Sequence, residues 1–440
     1  MNYKSSEYNH YFIVENKYYV YNILTTSLIE LEEEIYESLH NGNIEKINEE
    51  FIDGLLAEGF IVDSIADEKA HFEYYYDSKR YGDFSKRFKL TLIPTYGCNL
   101  ACPYCFEGMD KKSNKMTREY VDAVLMFMKN QVNESVNYTP TAEIMISFFG
   151  GEPMLCKKDI VYFCEETNKF AKEKNIDVAY EITTNLTLLD DDMVDVIKRY
   201  NIEVQVTIDG TKEQHDMRRV YKNGKGTYDI ILNNLQKLVE AGVKDLVTIR
   251  INLDEDNVQD AEQMLASLQP YAGSMYFGYL MKYKGQNEDY QSECFKNDCY
   301  ASISVKKLYE IYKKLGFNVP QEFGKKTPCQ INSQNTYVVD CNKDVYKCEL
   351  VIGHKECAVG SLDDDGQFYP NGNFYKQMTY SPLKLEKCKG CKMLPMCGGG
   401  CPAREYVNLD KKDGNMLVGE CMISESALTE YLTDYIKRNA

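Results

Sequence analysis

Three cysteines crowded into one short segment are the residues best placed to do chemistry in this sequence. The stretch CNLACPYC holds Cys98, Cys102 and Cys105 within eight residues. A 4Fe–4S cluster takes four ligands, usually thiolates, so three protein ligands would leave one iron open to a molecule that it can chelate and reduce. Zinc is the alternative metal, but it normally takes four protein ligands in structural sites. The three-then-two spacing directly after a predicted strand therefore favours the cluster.

A second group of cysteines lies near the carboxyl end of the chain, where regular periodicity is lost. The stretch CKGCKMLPMCGGGC spans residues 388–401. The chain has 16 cysteines in all, and its amino terminus is too polar for a signal peptide. We therefore expect a reducing environment, in which clustered thiols favour metal over disulfides. A zinc ribbon remains the alternative here, because CxxC pairs also bind zinc.

Length and charge limit the class of protein. The 440 residues are enough for two or three domains. The net charge of −17 opposes nonspecific binding to nucleic acid and to anionic membranes. No apolar run approaches the roughly 20 residues that a membrane-spanning helix needs. We expect a cytoplasmic protein that has neither nucleic acid nor a membrane as its partner.

The elements that must position the first cysteines alternate between strand and helix. Six segments read as strands, at residues 88–95, 142–149, 178–185, 203–209, 246–252 and 274–280. Helical periodicity lies between them, and parallel strands need such crossover helices. Six units fall short of the eight that close a barrel. The sequence thus predicts an α/β fold with a partial, TIM-like (β/α)6 barrel.

Polar or glycine-rich residues follow most of these strands. The first strand leads into CNLACPYC, the second into GGEP (150–153), the third into TTN (183–185) and the fourth into DG (209–210). The fifth strand carries Arg250 and Asn252. Barrels and open α/β sheets place their active sites at the carboxyl ends of the strands. These signals therefore predict one shared site.

The first 85 residues have a different pattern. Residues 11–22 alternate like a β-hairpin, 28–40 read as a helix, and 49–63 read as a second helix followed by a short strand. The polar and aromatic segment 73–88 reads as a linker. A module of this size buries little surface alone, so we expect it to pack on the main body or to hold a partner.

The cysteine segment and GGEP together resemble the signature of radical S-adenosylmethionine enzymes. The resemblance implies that Gly150 and Gly151 let the backbone approach the methionine part of the cofactor, and that Glu152 offers a negative charge near its ammonium group. It also implies that Thr184 and Asn185 contact the ribose. In this family the cluster cleaves S-adenosylmethionine reductively, and the resulting 5′-deoxyadenosyl radical removes a hydrogen atom from the substrate.

Other positions match the same family. Tyr104 and Phe106 stand beside the cysteines, where the resemblance implies contact with adenine. A TIDGxxxxHDxxR stretch recurs in one subgroup of the family, and it is matched here by Thr207, Asp209, His215, Asp216 and Arg219. From this stretch we expect Thr207 and Arg219 to bind the cofactor, while His215 reads as structural.

The carboxyl-terminal cysteines resemble the SPASM extension of radical enzymes that modify peptides and proteins, which implies two auxiliary 4Fe–4S clusters. One cluster would take Cys388, Cys391, Cys397 and Cys421 as ligands. The other would take Cys329, Cys348 and Cys401, with Cys341 as the expected fourth ligand and Cys357 or an open site as alternatives. Lys343 stands where the pattern has a glycine. Glu349 stands where related sulfatase-maturing enzymes have an acidic base.

The expected function is the crosslinking of a ribosomally made precursor peptide through a thioether, carbon–carbon or ether bond. The first 85 residues resemble a PqqD-like, winged-helix-like peptide clamp that would bind the leader of such a precursor; a structural cap is the alternative. A flavodoxin or ferredoxin would supply electrons. The other readings are a formylglycine-generating sulfatase maturase and a non-catalytic iron–sulfur carrier or sensor. The expected domains are a peptide clamp, the barrel, a bridging segment and a SPASM domain, at 1–85, 86–285, 286–325 and 326–440.

Overall fold

A computed structural model gives the architecture of most of the chain. It describes residues 3–82, 86–105, 107, 113–135, 140–254, 256–279, 314–316, 328–403 and 424–439. Phe106, Cys421 and most of the expected bridging segment lie outside the described residues. None of the helices in these ranges combines the length and the apolarity that crossing a bilayer requires.

The amino-terminal module contains two small sheets and three helices. Its elements are β1 (Tyr3–Ser5), β2 (Asn9–Val14), β3 (Lys17–Asn22), β4 (Leu28–Leu31), α1 (Glu33–His40), α2 (Glu49–Ala57), β5 (Ile61–Asp63) and α3 (Glu68–Tyr81). Strands β2, β3 and β4 form an antiparallel sheet, and β1 pairs with β5. Glu15 and Asn16 both have positive φ, at 50° and 64°, as a tight two-residue hairpin turn requires. The predicted hairpin is therefore confirmed.

Two predictions for this module were wrong. Residues 28–31 were expected to begin a helix, but they form β4, because pairing with β3 overrides the local helical pattern. Residues 73–88 were expected to be a linker, but most of them belong to α3. Phe72, Tyr76 and Arg80 recur every fourth residue and are all buried, so α3 has one face turned to the interior.

The middle of the chain forms the expected parallel sheet with crossover helices. Its elements are β6 (Arg87–Ile93), α4 (Arg118–Ser135), β7 (Glu143–Phe148), α5 (Lys157–Lys174), β8 (Asp177–Thr184), α6 (Asp191–Tyr200), β9 (Glu203–Thr207), α7 (Lys212–Arg218), α8 (Tyr228–Glu240), β10 (Val247–Leu253), α9 (Ala261–Leu268) and β11 (Ser274–Tyr279). Strands β6 to β11 lie side by side in chain order, and each pair is parallel. All six predicted strands are confirmed.

The carboxyl-terminal segment extends this sheet, which the sequence did not predict. Its elements are β12 (Thr336–Asp340), β13 (Asp344–Tyr346), β14 (Gly360–Leu362), β15 (Phe368–Pro370), α10 (Gly372–Met378), α11 (Leu394–Cys397) and α12 (Glu425–Asn439). Strand β12 pairs in parallel with β6, and β13, β14 and β15 follow in antiparallel order. The result is a mixed sheet of 10 strands with β11 and β15 at its two edges.

Strands β12 and β13 form an antiparallel hairpin, and Cys341 and Lys343 lie in its turn. Lys343 has a φ of 70° there, in the left-handed region that favours glycine. The lysine at the expected glycine position therefore adopts the glycine-like backbone and stores some strain in the turn.

The amino-terminal module packs against the carboxyl-terminal segment. Side chains from both ends share one buried cluster: Tyr8, Phe12, Val14, Tyr19, Tyr21, Ile23, Leu24, Phe72, Tyr76, Cys388, Met393, Leu394, Met396, Leu428 and Leu432. His10 Nε2 lies 2.8 Å from Thr429 Oγ1, which joins β2 to α12. The expectation that the module packs on the main body is confirmed.

Candidate active site

A cavity of about 200 Å³ opens at the carboxyl ends of the parallel strands. It is lined by Cys98, Leu100, Cys102, Tyr104, Cys105, Glu107, Phe149, Gly150, Gly151, Thr183, Thr184, Asn185, Gln205, Thr207, Arg219, Arg250, Asn252 and Leu350. Signals from the first, second, third and fifth predicted strands therefore meet in space, whereas the DG pair after the fourth strand does not line the cavity. This cavity is the candidate active site.

The cysteine loop is anchored from two directions. Ala101 donates its N–H to the carbonyl of Val220 at 2.8 Å. On the other side, the amide of Asn185 donates to Asn99 Oδ1 at 2.9 Å and approaches Cys98 Sγ at 3.8 Å. Cys98 and Cys102 are buried, and Cys105 is half-buried at the mouth. The three thiols are thus held on a fixed loop at one wall of the cavity.

The two glycines of GGEP bring the end of β7 against the start of the cysteine loop. Gly150 has a φ of 120°, which side chains rarely tolerate. A Cβ atom on Gly151 would overlap the carbonyl oxygens of Tyr96 and Gly97. The backbone N–H of Gly151 donates to the Thr95 carbonyl at 3.1 Å. Glycine is therefore required at both positions so that the two loops can meet.

The Glu152 side chain has a different position from the one expected. It is fully buried, and it is not among the residues that line the cavity. Its carboxylate accepts hydrogen bonds from Thr184 Oγ1 at 2.7 Å, from the Asn185 N–H at 2.7 Å and from the Met154 N–H at 2.9 Å. Burial raises the pKa of Glu152, and these donors oppose that rise. In this structure Glu152 ties GGEP to the end of β8.

A buried polar chain links the cysteine loop to the end of β9. The Tyr104 hydroxyl donates to the Asp209 carboxylate and accepts from Arg219 Nη1, the latter at 2.6 Å. Arg219 Nη1 lies 3.9 Å from Asp209 Oδ2. Burial raises the pKa of Asp209, and the Arg219 charge opposes that rise. Tyr104 is therefore held between the Asp209 carboxylate and the Arg219 guanidinium, and these contacts fix the cysteine loop to the end of β9.

The HDxxR part of the TIDGxxxxHDxxR stretch is mainly a scaffold. His215 Nδ1 accepts the Asp209 N–H at 3.3 Å, and its Nε2 lies 3.1 Å from Thr227 Oγ1. Thr227 Oγ1 donates to the Arg219 carbonyl at 2.6 Å, so His215 Nε2 must carry the proton. Asp216 accepts the N–H groups of Thr227 and Tyr228 at the start of α8. Of the matched charged residues, only Arg219 reaches the cavity.

The sequence missed several residues of the lining. Gln205 is one of them; it alternates along β9 with Thr207, which was expected at the site, so strand periodicity could have assigned it to the same face. Leu350 carried no such signal. It lies near the cavity because β12 pairs with β6, and the sequence did not predict that pairing.

Three of the expected ligands for one auxiliary cluster are neighbours. Burial raises the pKa of the Cys348 thiol well above its ordinary value, and Glu349, Cys329 and Cys401 nearby raise it further. The Cys341 thiol instead accepts the backbone N–H of Tyr96, and burial raises its pKa to about 11. The structure therefore brings Cys329, Cys348 and Cys401 together but gives Cys341 a different environment.

Glu349 lies between this group and strand β6. Its carboxylate accepts from Thr91 Oγ1 on β6 at 2.8 Å and from Gln330 Nε2 at 2.8 Å. The next residue, Leu350, lines the candidate active site. Glu349 is thus held in a fixed orientation beside the cavity.

Two expected ligands of the other auxiliary cluster, Cys388 and Cys391, lie against the amino-terminal module. Cys388 and Cys391 line a second cavity of about 460 Å³. Cys397 ends α11, three residues before the Gly400–Cys401 pair, and is half-buried. The fourth expected ligand, Cys421, lies outside the described residues.

The residues of the candidate active site fit the cofactors that the sequence resemblance implies. Arg219 Nε is buried and has no hydrogen-bond partner in the described part of the chain, so it can serve an anionic group such as a carboxylate. Gly150 and Gly151 line the same cavity and present backbone there. Three thiols and the cationic side chains of Arg219 and Arg250 therefore face the same space.

Part of this chain matches a family model, and known proteins resemble it in sequence. Residues 92–268 match the model of the Radical SAM superfamily. The cysteine-type anaerobic sulfatase-maturating enzyme of Clostridium novyi (strain NT) is 25% identical over 334 residues, which cover 71% of this chain and 86% of that protein. The radical SAM cyclopropyl synthase TigE of Paramaledivibacter caminithermalis is 20% identical over 444 residues, which cover 92% of this chain and 89% of TigE.

Solved structures share the fold. Native anSMEcpe with bound AdoMet and the Cp18Cys peptide has a TM-score of 0.62 at 18% identity, covering 80% of this chain and 97% of that one. Streptococcus suis SuiB bound to S-adenosylmethionine has a TM-score of 0.57 at 15% identity, covering 95% of this chain and 100% of SuiB. This chain therefore carries a radical SAM domain, whose family implies a 4Fe–4S cluster and S-adenosylmethionine, and it is an enzyme.

Proposed function

We propose that this enzyme is a peptide maturase that installs a thioether, carbon–carbon or ether crosslink in a ribosomally made precursor peptide. The observation that carries the proposal is the extent of the similarity. The matches to TigE and SuiB cover 92% and 95% of this chain, whereas those to the sulfatase-maturating enzyme and anSMEcpe cover 71% and 80%. SuiB has also been solved bound to its precursor peptide SuiA.

The amino-terminal module would bind the leader of the precursor as a PqqD-like clamp. In its three-stranded sheet, β2 and β4 are the two edge strands, and each pairs with β3; β2 is largely buried and packs beside α12, whereas β4 is partly exposed. An extended peptide binds such an edge by adding a strand, with main-chain hydrogen bonds providing affinity. We therefore assign the leader to the β4 edge.

The residues around the first cavity would hold the cofactors. Cys98, Cys102 and Cys105 would bind the first 4Fe–4S cluster, and Arg219 would bind the carboxylate of S-adenosylmethionine. The remaining contacts would come from Tyr104, Phe106, Gly150, Gly151, Thr184, Asn185 and Thr207. When bound, these cofactors supply the radical chemistry, and the protein orients the peptide and excludes water.

The carboxyl-terminal cysteines would hold two auxiliary 4Fe–4S clusters as a SPASM domain. Cys388, Cys391, Cys397 and Cys421 would bind one, and Cys329, Cys348 and Cys401 would bind three corners of the other. Cys341 would be the fourth ligand of that cluster, with Cys357 or an open site as the alternatives; the Tyr96 N–H donated to the Cys341 sulfur is compatible with ligation. We further propose a cytoplasmic enzyme that receives electrons from a flavodoxin or a ferredoxin.

Glu349 would act as the base of the reaction. Thr91 and Gln330 hold its carboxylate beside the cavity, and a carboxylate so oriented can take the proton that crosslinking releases. A Glu349→Gln variant would keep the shape of the site and both neighbours while it loses the base. We expect this variant to bind peptide normally and to form little product.

The proposal is tested by incubating the reconstituted enzyme anaerobically with reductant, S-adenosylmethionine and the precursor peptide encoded beside its gene. Mass spectrometry should show a loss of about two hydrogens for each crosslink, since the reaction is a net oxidation. A peptide without its leader should be processed far more slowly. Unchanged peptide, in a reaction that does yield 5′-deoxyadenosine, would refute the assignment of this substrate class.

A sulfatase maturase is the second candidate, because sulfatase-maturating enzymes from Clostridium and Bacteroides are among the relatives. A sulfatase-derived peptide with a central cysteine or serine distinguishes the two. Conversion to formylglycine creates an aldehyde that a hydrazide reagent captures. Capture from the sulfatase peptide with no change in the precursor peptide would favour the second candidate.

A further inference from the structure

The second cavity is shared between the two ends of the chain. It has a volume of about 460 Å³. From the amino-terminal module it is lined by Glu7, Tyr8, Lys69 and Glu73, and from the other side by Leu383, Lys384, Cys388, Lys389, Gly390, Cys391, Lys392 and Leu394. Two expected cluster ligands therefore face side chains of the peptide-clamp module.

Buried side chains also connect the amino-terminal module to the cysteine segment. Cys388 is buried in one cluster with Tyr8, Phe72 and Tyr76 of the module. Tyr8 also lines the second cavity together with Cys388 and Cys391. Its side chain thus lies beside the cysteine segment.

Tyr380 approaches the same segment from within the carboxyl-terminal region. Its side chain is 7% exposed, and its hydroxyl has no hydrogen-bond partner in the described structure. A Cβ atom on Gly399, between Cys397 and Cys401, would lie 3.3 Å from that hydroxyl. A buried hydroxyl without an acceptor costs about 1–3 kcal/mol, so an acceptor in the space beside these cysteines would remove the penalty.

Arg80 of α3 fixes the position of Tyr380. Its buried guanidinium donates to the carbonyl of Tyr380 at 2.9 Å, to that of Asn332 at 3.2 Å and to that of Met378. Asn332 follows Cys329 by three residues. One side chain of the amino-terminal module therefore holds the backbone beside both groups of carboxyl-terminal cysteines.

We propose that the amino-terminal module forms one wall of the auxiliary-cluster site at Cys388, Cys391 and Cys397, and that the hydroxyls of Tyr8 and Tyr380 donate hydrogen bonds to sulfur atoms there. This inference rests on the proposed auxiliary cluster. Both tyrosines are positioning residues. Hydrogen bonds to cluster sulfurs favour the reduced, more negative state and so raise the reduction potential. The module that binds the leader thereby tunes an electron-transfer centre.

The test compares Tyr8→Phe and Tyr380→Phe with the wild-type enzyme, as full chains with all clusters reconstituted. Reductive titration followed by electron paramagnetic resonance should show one auxiliary cluster with a lower midpoint potential in each variant, and a still lower one in the double variant. The other clusters should keep their potentials. Tyr36→Phe is the control, because Tyr36 is a buried tyrosine of the same module in a separate apolar cluster.

Two further results separate this inference from the proposed function. A Cys388→Ala, Cys391→Ala variant should lose the iron and the resonance signal of one cluster; if its iron content equals that of the wild type, the auxiliary cluster itself is refuted. If that cluster is present but both phenylalanine variants keep its midpoint potential, the cluster stands and the role of the tyrosines is overturned.

Discussion

Two loops of the active site can meet because residue 151 is a glycine and has no side chain. Gly151 lies against the carbonyl oxygens of Tyr96 and Gly97, and backbone cannot move aside as a flexible side chain can. Sequence alone could assign this glycine through the GGEP pattern. It could not give the partners of Glu152, because the Thr184 hydroxyl and the N–H groups of Asn185 and Met154 donate to its carboxylate only in the folded chain.

We predict that Gly151→Ala abolishes detectable binding of S-adenosylmethionine while the chain still folds. The added Cβ would push the turn off the cysteine loop and displace the cavity wall. Isothermal titration of the reconstituted protein measures the affinity. Gly54→Ala in α2 is the control, since a Cβ there meets no neighbour within 4 Å. Normal affinity in the Gly151 variant would contradict the close approach.

His215 makes the stability of the fold sensitive to acid. Burial and then the charges of Arg219 and Arg218 lower its pKa well below 6.5. His215 then binds a proton in the unfolded chain but stays neutral in the folded chain. The free energy of unfolding therefore falls as the pH drops below about 6.5. The slope reaches at most about 1.4 kcal/mol per pH unit for one group. A His215→Gln variant should lose less stability than the wild type between pH 7 and pH 5 in chemical denaturation; equal losses would argue against a neutral, buried imidazole.

At the scale of elements, helix α3 has one buried face although its composition is polar. Its sequence looked like a linker because Glu, Asp, Lys and Arg alternate with tyrosines. The buried positions Phe72, Tyr76 and Arg80 nevertheless share one helical face. The six parallel strands were predictable because each is an apolar run followed by a glycine or polar signal. Strand β12 was not, since nothing local in Thr336–Asp340 specifies β6 as its partner.

We predict that Arg80→Ala destabilises the fold by at least about 3 kcal/mol, because three buried carbonyl groups would lose a charged donor. Denaturant unfolding of the apoprotein measures the change in the free energy of unfolding. The matched control is Lys69→Ala, which removes an exposed cation of the same helix. A cost below about 1 kcal/mol for Arg80→Ala would mean that water replaces the guanidinium.

At the scale of the whole molecule, charge opposes compactness. The chain has 68 acidic and 51 basic residues, which give the net charge of −17. Like charges repel more strongly in the folded state because it is smaller. We predict that the free energy of unfolding is higher in 200 mM than in 10 mM sodium chloride. Salt screens the repulsion, because the Debye length falls to about 10 Å within this range. Sucrose at matched osmolarity is the control. Equal stability at both salt concentrations would show that the charges are balanced locally.

The pairing of β12 with β6 sets an order of events during synthesis. Strand β6 emerges early from the ribosome, yet its free edge receives a neighbour only when Thr336–Asp340 has been made. Until then an apolar strand such as FKLTLI presents unpaired backbone groups to other chains. Pairing over such a distance in sequence is slow, and partly made chains with an open edge aggregate. A nascent chain of this enzyme thus needs protection, from a chaperone or from slow translation, until Thr336–Asp340 has been made.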